Sequence, residues 1–405
     1  MQYKPKMIGE YIMYENLEEL GKKIDEKKGG VHKGDLYCGL YKKNSAVYLV
    51  KRDRENPANN IAEYLGSKIF NIATPNYGAE INLIAINSDS KLSTPEDIYL
   101  CSTYFKNYHD LYQCAGYIDR PIKIEFLEGF FAKGQYLKNQ LLKQNNEGNY
   151  LYQNYEKAVV TSLLIGDFSM HSGNLGVVTD DMNHRLVRVD FGASFRSFTS
   201  EINPFQSIKN RAGFEKNYIK RDHPAERFFC RDFTTELRRV AQISFDELII
   251  NEWNIIKNCF STDALKQFAL RISGGNSLGE NDLPNFLIKK IRERQRSLIQ
   301  MALEIDLAIA IKANNLQKLK QFFFERTADE HESIKYILLV PENSELKLTY
   351  KKKIHELVLK LIKDARRKPE RFPQEFAGLF YTEVITPSME EENLELPKPS
   401  LKVFN

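Results

Sequence analysis

The sequence is poor in cysteine and has no long apolar run. Its five cysteines are scattered among 405 residues, and no two of them form a C-x-x-C pair. Neither a disulfide framework nor a zinc site of paired cysteines is therefore expected, and a reducing compartment suits the chain. No apolar run approaches the length of about 20 residues that spans a membrane. The start of the chain also lacks the apolar core of a signal peptide, so we expect a soluble or peripheral protein.

Excess charge of one sign is also missing. Charged residues make up 28% of the chain and hydrophobic residues 42%, and the formal net charge is +4. A net charge this mild predicts no general affinity for polyanions, so any preference for anions must come from local patches and no nucleic-acid partner is expected. The length allows one large domain or two to three modest ones.

The most informative stretch is residues 163–192. An apolar helical run ends there and is followed by Asp167, and Asn174 comes seven positions later. Two short apolar strands joined by a polar turn then lead to Asp190 in the sequence Asp-Phe-Gly. This pattern predicts a hairpin whose two ends present a carboxamide and a carboxylate, which are hard oxygen ligands that suit Mg²⁺.

This stretch resembles the core of protein kinases, in which a loop Asn and the Asp of a D-F-G motif hold Mg²⁺ and an upstream Asp orients the nucleophile. The resemblance implies Asn174 and Asp190 as metal ligands and Asp167 as the catalytic Asp. The kinase spacing, however, would place that Asp at position 169, which is Ser169. His171 and Asn174 are similar to the D-x-H-x-x-N loops of lipid kinases and HipA-type proteins, which makes His171 a nucleotide-binding candidate. Either Asp167 still reaches the site or the base has been lost, and this choice separates an enzyme from a pseudokinase.

A second group of candidates lies near the start of the chain. Gly30 and Gly34 belong to a glycine-containing segment, residues 29–34, that precedes two predicted strands at 35–41 and 46–50. Glycines in such a position allow backbone N–H groups to approach phosphates. The second strand resembles the V-A-I-K strand of kinases, which implies that Lys51 pairs with the α- and β-phosphates of a nucleotide.

The next segment, residues 57–70, is predicted to be a helix. Asn56 before Pro57 is a good start signal, since the asparagine can cap the helix and the proline needs no N–H partner. Glu63 in its second turn is our candidate for the ion-pair partner of Lys51, with Glu55 as the competing residue.

The order of the remaining patterns predicts an α+β, bilobal protein-kinase-like fold with a C-terminal helical extension. We expect a helix over residues 8–27, strands at 80–86 and 98–105, a hinge at 104–108, a helix at 149–165, and helices from 233 to 322 interrupted at 273–284. The predicted regions are a small β-rich N-lobe at 1–105, a helical C-lobe at 106–325, a helical domain at 326–387, and a disordered tail at 388–405.

No A-P-E activation-segment signature follows the D-F-G motif. Basic residues interleaved with aromatic ones take its place, and they include Arg227. Such a run is either a solvated surface or a pocket for a highly phosphorylated activator such as an inositol polyphosphate. The candidates for this anion site are Lys209, Arg211, Lys216, Lys220 and Arg221.

Residues 347–368 have the pattern of a basic amphipathic helix, followed by an apolar segment at 376–381. The pattern predicts binding to a membrane that contains anionic phosphoinositides. The alternative is a packed helix with a solvated basic face. The lipid-binding candidates are Lys351, Lys352, Lys353, Arg366 and Arg367.

The tail carries a block of glutamates at 390–392. It resembles the C-terminal export signal of effectors secreted by Legionella-type type IV systems. The resemblance implies secretion into a host cell, with the protein cytosolic or peripheral on membranes.

These patterns together predict a Mg-ATP-dependent phosphotransferase, an atypical protein kinase acting as a bacterial effector. It would use ATP with Mg²⁺ or Mn²⁺ and transfer phosphate to an unidentified protein or small molecule. The alternatives are a phosphoinositide or small-molecule kinase, a nucleotidyl transferase on the same fold, and a catalytically dead nucleotide-binding pseudokinase.

Overall fold

The structure is a computed structural model. It describes residues 6–8, 11–13, 15–26, 36–86, 98–114, 141–148, 150–167, 169–170, 173–180, 183–199, 227, 230–276, 278–312 and 321. The chain forms two compact units, residues 1–299 and 300–405, and the described β-strands and the candidate site belong to the first. The predicted helical domain at 326–387 and the tail at 388–405 lie outside the described residues.

The N-terminal part of the first unit is a six-stranded sheet. Its strands are β3 (Glu15–Asn16), β4 (Lys22–Asp25), β5 (Gly39–Lys43), β6 (Ala46–Lys51), β7 (Ile81–Ala85) and β8 (Ile98–Thr103), and a separate hairpin consists of β1 (Lys6–Ile8) and β2 (Tyr11–Met13). The strand order in the sheet is β3-β7-β8-β6-β5-β4. Strand β3 is parallel to β7 and the other neighbours are antiparallel. Strand β6 is an interior strand of this sheet, and Lys51 is its last residue.

The helix predicted over residues 8–27 is wrong, because the described part of this stretch forms short strands and one 3-10 turn at Leu17–Leu20. Leu17 and Leu20 are buried in the core of the sheet. Gly21 has φ +84, a conformation that ends a right-handed helix. The following strand β4 then takes its backbone partners from β5. The apolar spacing in this stretch therefore reflects a turn and strands that share one core, and not one face of a helix.

Helix α1 (Pro57–Ala73) packs against the sheet and begins at the proline, as predicted. Its apolar face at Ile61, Leu65 and Ile69 is fully buried. The predicted cap is wrong, since the Asn56 side chain caps nothing. Instead, the Asp53 carboxylate accepts hydrogen bonds from the Asn56 N–H (2.7 Å) and the Asn59 side-chain amide, and so secures the start of the helix.

A second sheet carries the predicted hairpin. Its strands are β9 (Tyr108–Asp110), β10 (Tyr152–Gln153), β11 (Leu175–Asp180) and β12 (Asn183–Arg188), in the order β10-β12-β11-β9. Strands β11 and β12 are antiparallel and pair Leu175 with Arg188, so the residues that precede and follow the hairpin lie at one end. A short helix α2 (Leu111–Cys114) follows β9. Helix α3 (Tyr155–Leu164) precedes the hairpin and is shorter than predicted because part of that stretch forms β10.

The remaining described elements are helical. They are α4 (Arg231–Ala241), α5 (Asp246–Cys259), α6 (Thr262–Ser273) and α7 (Leu283–Lys312), with a non-helical interval between α6 and α7, as predicted. The fold is therefore α+β, with a β-rich N-terminal part followed by helices. Within the part of the chain that the structure describes, no helix is long and apolar enough to cross a membrane.

Candidate functional site

Lys51 and Glu63 form an ion pair. Lys51 is the last residue of β6 and Glu63 lies in the second turn of α1, and their side chains are only 11% and 8% exposed. The Asp190 carboxylate approaches the same lysine, with 3.8 Å between Lys51 Nζ and Asp190 Oδ1. Burial lowers the pKa of Lys51, but the carboxylates of Asp190 and Glu63 outweigh this effect and raise the pKa above its ordinary value. Lys51 is therefore a cation held between two carboxylates.

Asp190 differs from Glu63 in being open to solvent. Its side chain is 52% exposed, and its backbone has φ +63, which non-glycine residues adopt infrequently. The carboxylate accepts a hydrogen bond from the Gly192 N–H (3.2 Å), which orients it within the turn. A strained, exposed carboxylate next to a buried lysine is typical of a ligand-binding position.

Phe191, the middle residue of the Asp-Phe-Gly turn, connects this turn to helix α1. Its ring is fully buried and lies 5.1 Å, centroid to centroid, from the ring of Phe70. Its N–H donates to Glu63 Oε1 (3.4 Å). Glu63 thus contacts both the lysine and the D-F-G segment, and the position of α1 is linked to the position of Asp190.

Asn174 directly precedes strand β11, at the same end of the hairpin as Asp190. The Val189 N–H donates to the Asn174 carbonyl (3.0 Å), which places the Asn174 backbone beside the residue that precedes Asp190. The Asn174 side-chain nitrogen donates to the carbonyl (2.9 Å) and the hydroxyl (3.0 Å) of Ser169. With its nitrogen engaged, the side chain presents Oδ1 as its acceptor atom.

Asp167 has different surroundings from those expected of a catalytic base. It is fully buried and forms an ion pair with Arg188, which is also fully buried, at 2.7 Å. The Ser194 hydroxyl (3.1 Å) and the Ser169 N–H (3.0 Å) also donate to its carboxylate. Because the carboxylate is enclosed and already accepts three donors, it is not open to an acceptor hydroxyl in this placement, and the role of Asp167 as the residue that orients a nucleophile stays a prediction.

Arg188 is a site residue that the sequence did not single out. It occupies the last position of β12, and its Nη1 donates to the Ser169 carbonyl (2.8 Å) while its guanidinium lies 5.7 Å from the centroid of the Phe191 ring. It joins the loop that begins at Asp167 to the D-F-G segment. Its strand pattern alone could not reveal this, since its partners lie some 20 residues away in sequence.

Two further arginines come from the C-terminal helices. Arg271 on α6 donates to the Gly192 carbonyl (3.1 Å). Arg294 on α7 donates to the last carbonyls of α3, at Leu163 (2.6 Å) and Leu164 (2.8 Å). Burial lowers the pKa of Arg294 to about 9, which still leaves the side chain charged at neutral pH. Arg294 therefore caps the C-terminus of α3, the helix from which the loop starts, as a buried cation.

Several predicted residues cannot be placed. They lie outside the described residues and are Gly30, Gly34, His171, Lys209, Arg211, Lys216, Lys220, Arg221, Lys351, Lys352, Lys353, Arg366 and Arg367. Arg227, from the basic stretch after the D-F-G motif, is described and is not part of a solvated surface. It is buried and forms an ion pair with Glu156 at 2.8 Å.

The donor set fits a magnesium ion that keeps several waters. The residues available are the Asp190 carboxylate and the Asn174 carboxamide, and one or two such ligands are usual for Mg²⁺ bound with phosphates. Among the described residues no group of three or more His, Cys, Asp or Glu side chains is arranged to hold a metal ion. These two residues could therefore hold a magnesium ion whose remaining ligands are phosphate oxygens and water.

Comparison with known proteins gives weak similarities. The LepB N-terminal domain family matches residues 100–239, which include the loop and the hairpin but not Lys51 or Glu63. No curated protein matches the chain.

Three solved structures are similar at low identity. The proinflammatory kinase CtkA of Helicobacter pylori is 14% identical with a TM-score of 0.41, over 73% of this chain and 100% of that one. The N-terminal 618-residue fragment of LepB from Legionella pneumophila is 13% identical (TM-score 0.39) over 69% of this chain. HipA of Shewanella oneidensis, from a complex with HipB and operator DNA, is 10% identical (TM-score 0.27) over 64%. This chain spans only 53% and 58% of the lengths of the LepB and HipA chains.

The arrangement of this chain's own residues identifies the fold class. A β-rich lobe delivers a lysine from a central strand, one helix supplies its glutamate partner, and a hairpin after a helix ends in an Asp-Phe-Gly turn beside them. The chain therefore has a kinase-like α+β fold, and its residues 100–239 are similar to the LepB N-terminal domain family.

Proposed function

We propose that the chain binds Mg-ATP at the Lys51–Glu63–Asp190 cluster and acts as a phosphotransferase. The observation that carries the proposal is the ion pair between Lys51 and Glu63 together with the Asp190 carboxylate 3.8 Å from the lysine. Burying an ammonium group costs free energy unless it is paired. Such a cation beside one exposed carboxylate suits the binding of a phosphate chain that carries a metal ion.

The roles follow from the charges. Lys51 would contact the phosphate oxygens, and Glu63 would hold its ammonium in place. Asp190 and Asn174 would hold Mg²⁺, which when bound supplies positive charge to the phosphates. Phosphoryl transfer depends mainly on positioning and electrostatic stabilisation, so this small set of groups is sufficient in principle.

The acceptor side of the site differs from that of protein kinases. Asp167 is engaged with Arg188, and position 169 is a serine. General acid–base catalysis contributes about 10²–10⁴-fold, so transfer without a carboxylate base would be slow unless the acceptor brings its own. An atypical protein kinase and a phosphoinositide or small-molecule kinase both remain within the proposal.

The burial of Asp167 favours a second candidate, a nucleotide-binding protein without catalysis. In this case the Lys51–Glu63–Asp190 cluster would hold Mg-nucleotide, and the bound state itself would be the output. The two candidates share one binding site and differ only in turnover.

Labelled ATP distinguishes them. The full chain is incubated with Mg²⁺ and with ATP labelled at the γ-phosphate or, separately, at the α-phosphate, with and without eukaryotic lysate. Acceptor labelling from the γ-phosphate alone supports the phosphotransferase, and labelling from the α-phosphate would instead indicate nucleotidyl transfer. Binding of ATP without either label favours the non-catalytic protein, and the absence of binding would reject both candidates.

The cellular role is proposed on separate grounds. The glutamate block in the tail and the similarity of residues 100–239 to the LepB N-terminal domain family support a secreted bacterial effector. Binding to anionic phosphoinositides through residues 347–368 and activation by a polyanion such as an inositol polyphosphate also remain proposals from the sequence.

A further inference from the structure

Arg271 touches two parts of the site at once. It lies in the last turn of α6, which ends in a glycine cap: Gly274 has φ +68 and the Gly275 N–H donates to the Leu270 carbonyl (2.9 Å). The guanidinium Nη1 donates to the Gly192 carbonyl (3.1 Å), and Nη2 donates to Asn59 Oδ1. A rigid helix end therefore holds the D-F-G glycine and the first turn of α1 with one side chain.

Helix α1 is held at two further points. The Tyr64 hydroxyl donates to the Glu252 carboxylate on α5. Gly66 packs so closely on Ser194 that a Cβ at position 66 would lie 2.8 Å from the Ser194 Cβ. Helix α1 is thus in contact with α5, α6 and the turn after the D-F-G motif along the segment that carries Glu63.

We propose that Arg271 is a positioning residue that holds helix α1 and the D-F-G turn in their relative positions, so that Glu63 and Asp190 both reach Lys51. The proposal rests on the proposed function only for its effect on nucleotide binding. A guanidinium suits the task because its planar donors can serve two acceptors at fixed geometry.

In protein kinases this part of the site is controlled through an activation segment and through the position of the glutamate helix. The present sequence has no A-P-E signature after its D-F-G motif. Arg271 offers a different means of holding the same two elements, contributed by a helix about 80 residues further along the chain.

The placement of Arg271 has an energetic cost. Burial and the nearby charge of Arg196 lower the pKa of Arg271 to about 10, against the attraction of Asp167 and Asp53. The guanidinium is still charged at neutral pH, and both of its acceptors are neutral groups. Replacing it with an apolar side chain should therefore release the two elements without leaving a carboxylate unpaired in its place.

Hydrogen exchange of the unliganded full chain tests the linkage directly. We compare Arg271→Met with Arg271→Lys and with a control, Arg292→Met, which removes a largely exposed arginine on α7 that donates to Asp246 on α5. In Arg271→Met, exchange should rise about tenfold or more both in the first two turns of α1 and at residues 190–194. Arg271→Lys should show a smaller rise, and the control none. Unchanged exchange in either segment, or a uniform rise across the whole chain, would overturn the proposal.

Magnesium dependence gives the readout at the site. The Gly192 N–H donates to Asp190, and the Gly192 carbonyl accepts from Arg271. Loosening this residue should therefore weaken metal binding, and Arg271→Met should need about tenfold more Mg²⁺ for half-maximal ATP binding, at a temperature well below its melting point. A variant with reduced stability but the wild-type Mg²⁺ requirement would show a merely structural role and reject the proposal. If the wild type binds no ATP, the proposed function fails, and the exchange experiment still decides whether Arg271 couples the two segments.

Discussion

Two buried ion pairs with opposite characters lie within the candidate site. Lys51–Glu63 has the exposed carboxylate of Asp190 beside it, so one side of the pair can receive a ligand. Asp167–Arg188 is fully enclosed, and its carboxylate is satisfied by Ser194 and Ser169. The first pair is therefore suited to binding, and the second to holding the loop in place.

The buried Asp167–Arg188 pair predicts that a mutation of Asp167 lowers the stability of the protein and not only its turnover. Asp167→Asn should destabilise the protein by about 3–5 kcal/mol, because it leaves the buried Arg188 charge without its carboxylate. The double variant Asp167→Asn with Arg188→Met should lose less than the two single variants together. Urea unfolding of the full chain measures both.

Asp263→Asn is the matched control, since Asp263 is exposed on α6 and accepts a hydrogen bond from Gln267. It should leave stability nearly unchanged. A different outcome for Asp167→Asn, with normal stability and turnover reduced by about 10²–10⁴, would return Asp167 to the role of catalytic base.

At the scale of elements, helix α1 is the part on which the site depends. It supplies Glu63, packs its apolar face on the sheet and meets Ser194 at Gly66. The close approach at Gly66 leaves no room for a side chain. The contact between Gly66 and Ser194 therefore helps to fix the position of the helix that carries Glu63.

This contact predicts that Gly66→Ala destabilises the protein. Helix propensity alone would favour alanine by about 1 kcal/mol, but the new Cβ would collide with the Ser194 side chain, and overpacking typically costs about 1–3 kcal/mol. Thermal unfolding should show a lower melting temperature. Adding Ser194→Gly removes the collision but also the hydroxyl that donates to Asp167, so the double variant should lose less stability than the two single variants together. A melting temperature above that of the wild type in Gly66→Ala would contradict the packing described for α1.

The elements that sequence patterns predicted well are those with strong local signals. Helix α1 has a proline start and a regular apolar face, and the hairpin has two apolar strands and a polar turn. The stretch 8–27 failed because the same apolar spacing served a 3-10 turn and strands whose partners lie on β5 and β7. Local periodicity carries no information about such distant pairing.

Among the site residues, the sequence singled out those that resemble a motif. Lys51, Glu63, Asn174 and Asp190 were found in this way, and the structure brings the first two together with Asp190. Arg188 and Arg271 could not be found, because each acts on partners that are distant in sequence. The burial of Asp167 depends on Arg188 and was hidden for the same reason.

At the scale of the whole molecule, the proposed nucleotide site and the proposed membrane-binding segment belong to different parts of the chain. The site lies within residues 1–299, whereas the basic segment at 347–368 falls in the unit formed by residues 300–405. The two proposed activities should therefore be separable by mutation.

Neutralising Lys351, Lys352 and Lys353 to Gln in the full chain should weaken binding to vesicles that contain phosphoinositides. Each basic residue near an anionic surface contributes about 1 kcal/mol, and wild-type binding should fall as salt screens these charges. Vesicle sedimentation measures this, and ATP binding should not change. Equal sedimentation of the variant and the wild type would reject the membrane proposal without affecting the proposal of a nucleotide site.

The central claim is that Lys51, Glu63 and Asp190 form a site for Mg-nucleotide, and calorimetric titration of ATP tests it most directly. Asp190→Asn is the variant to use, because asparagine tolerates the positive φ of this position and removes the charge while keeping one side-chain oxygen and nearly the same shape. The wild type should bind ATP about tenfold more tightly with Mg²⁺ than with a chelator present. Asp190→Asn should lose this gain while its melting temperature without nucleotide stays close to that of the wild type. No ATP binding by the wild type, or the full Mg²⁺ gain in the variant, would contradict the account.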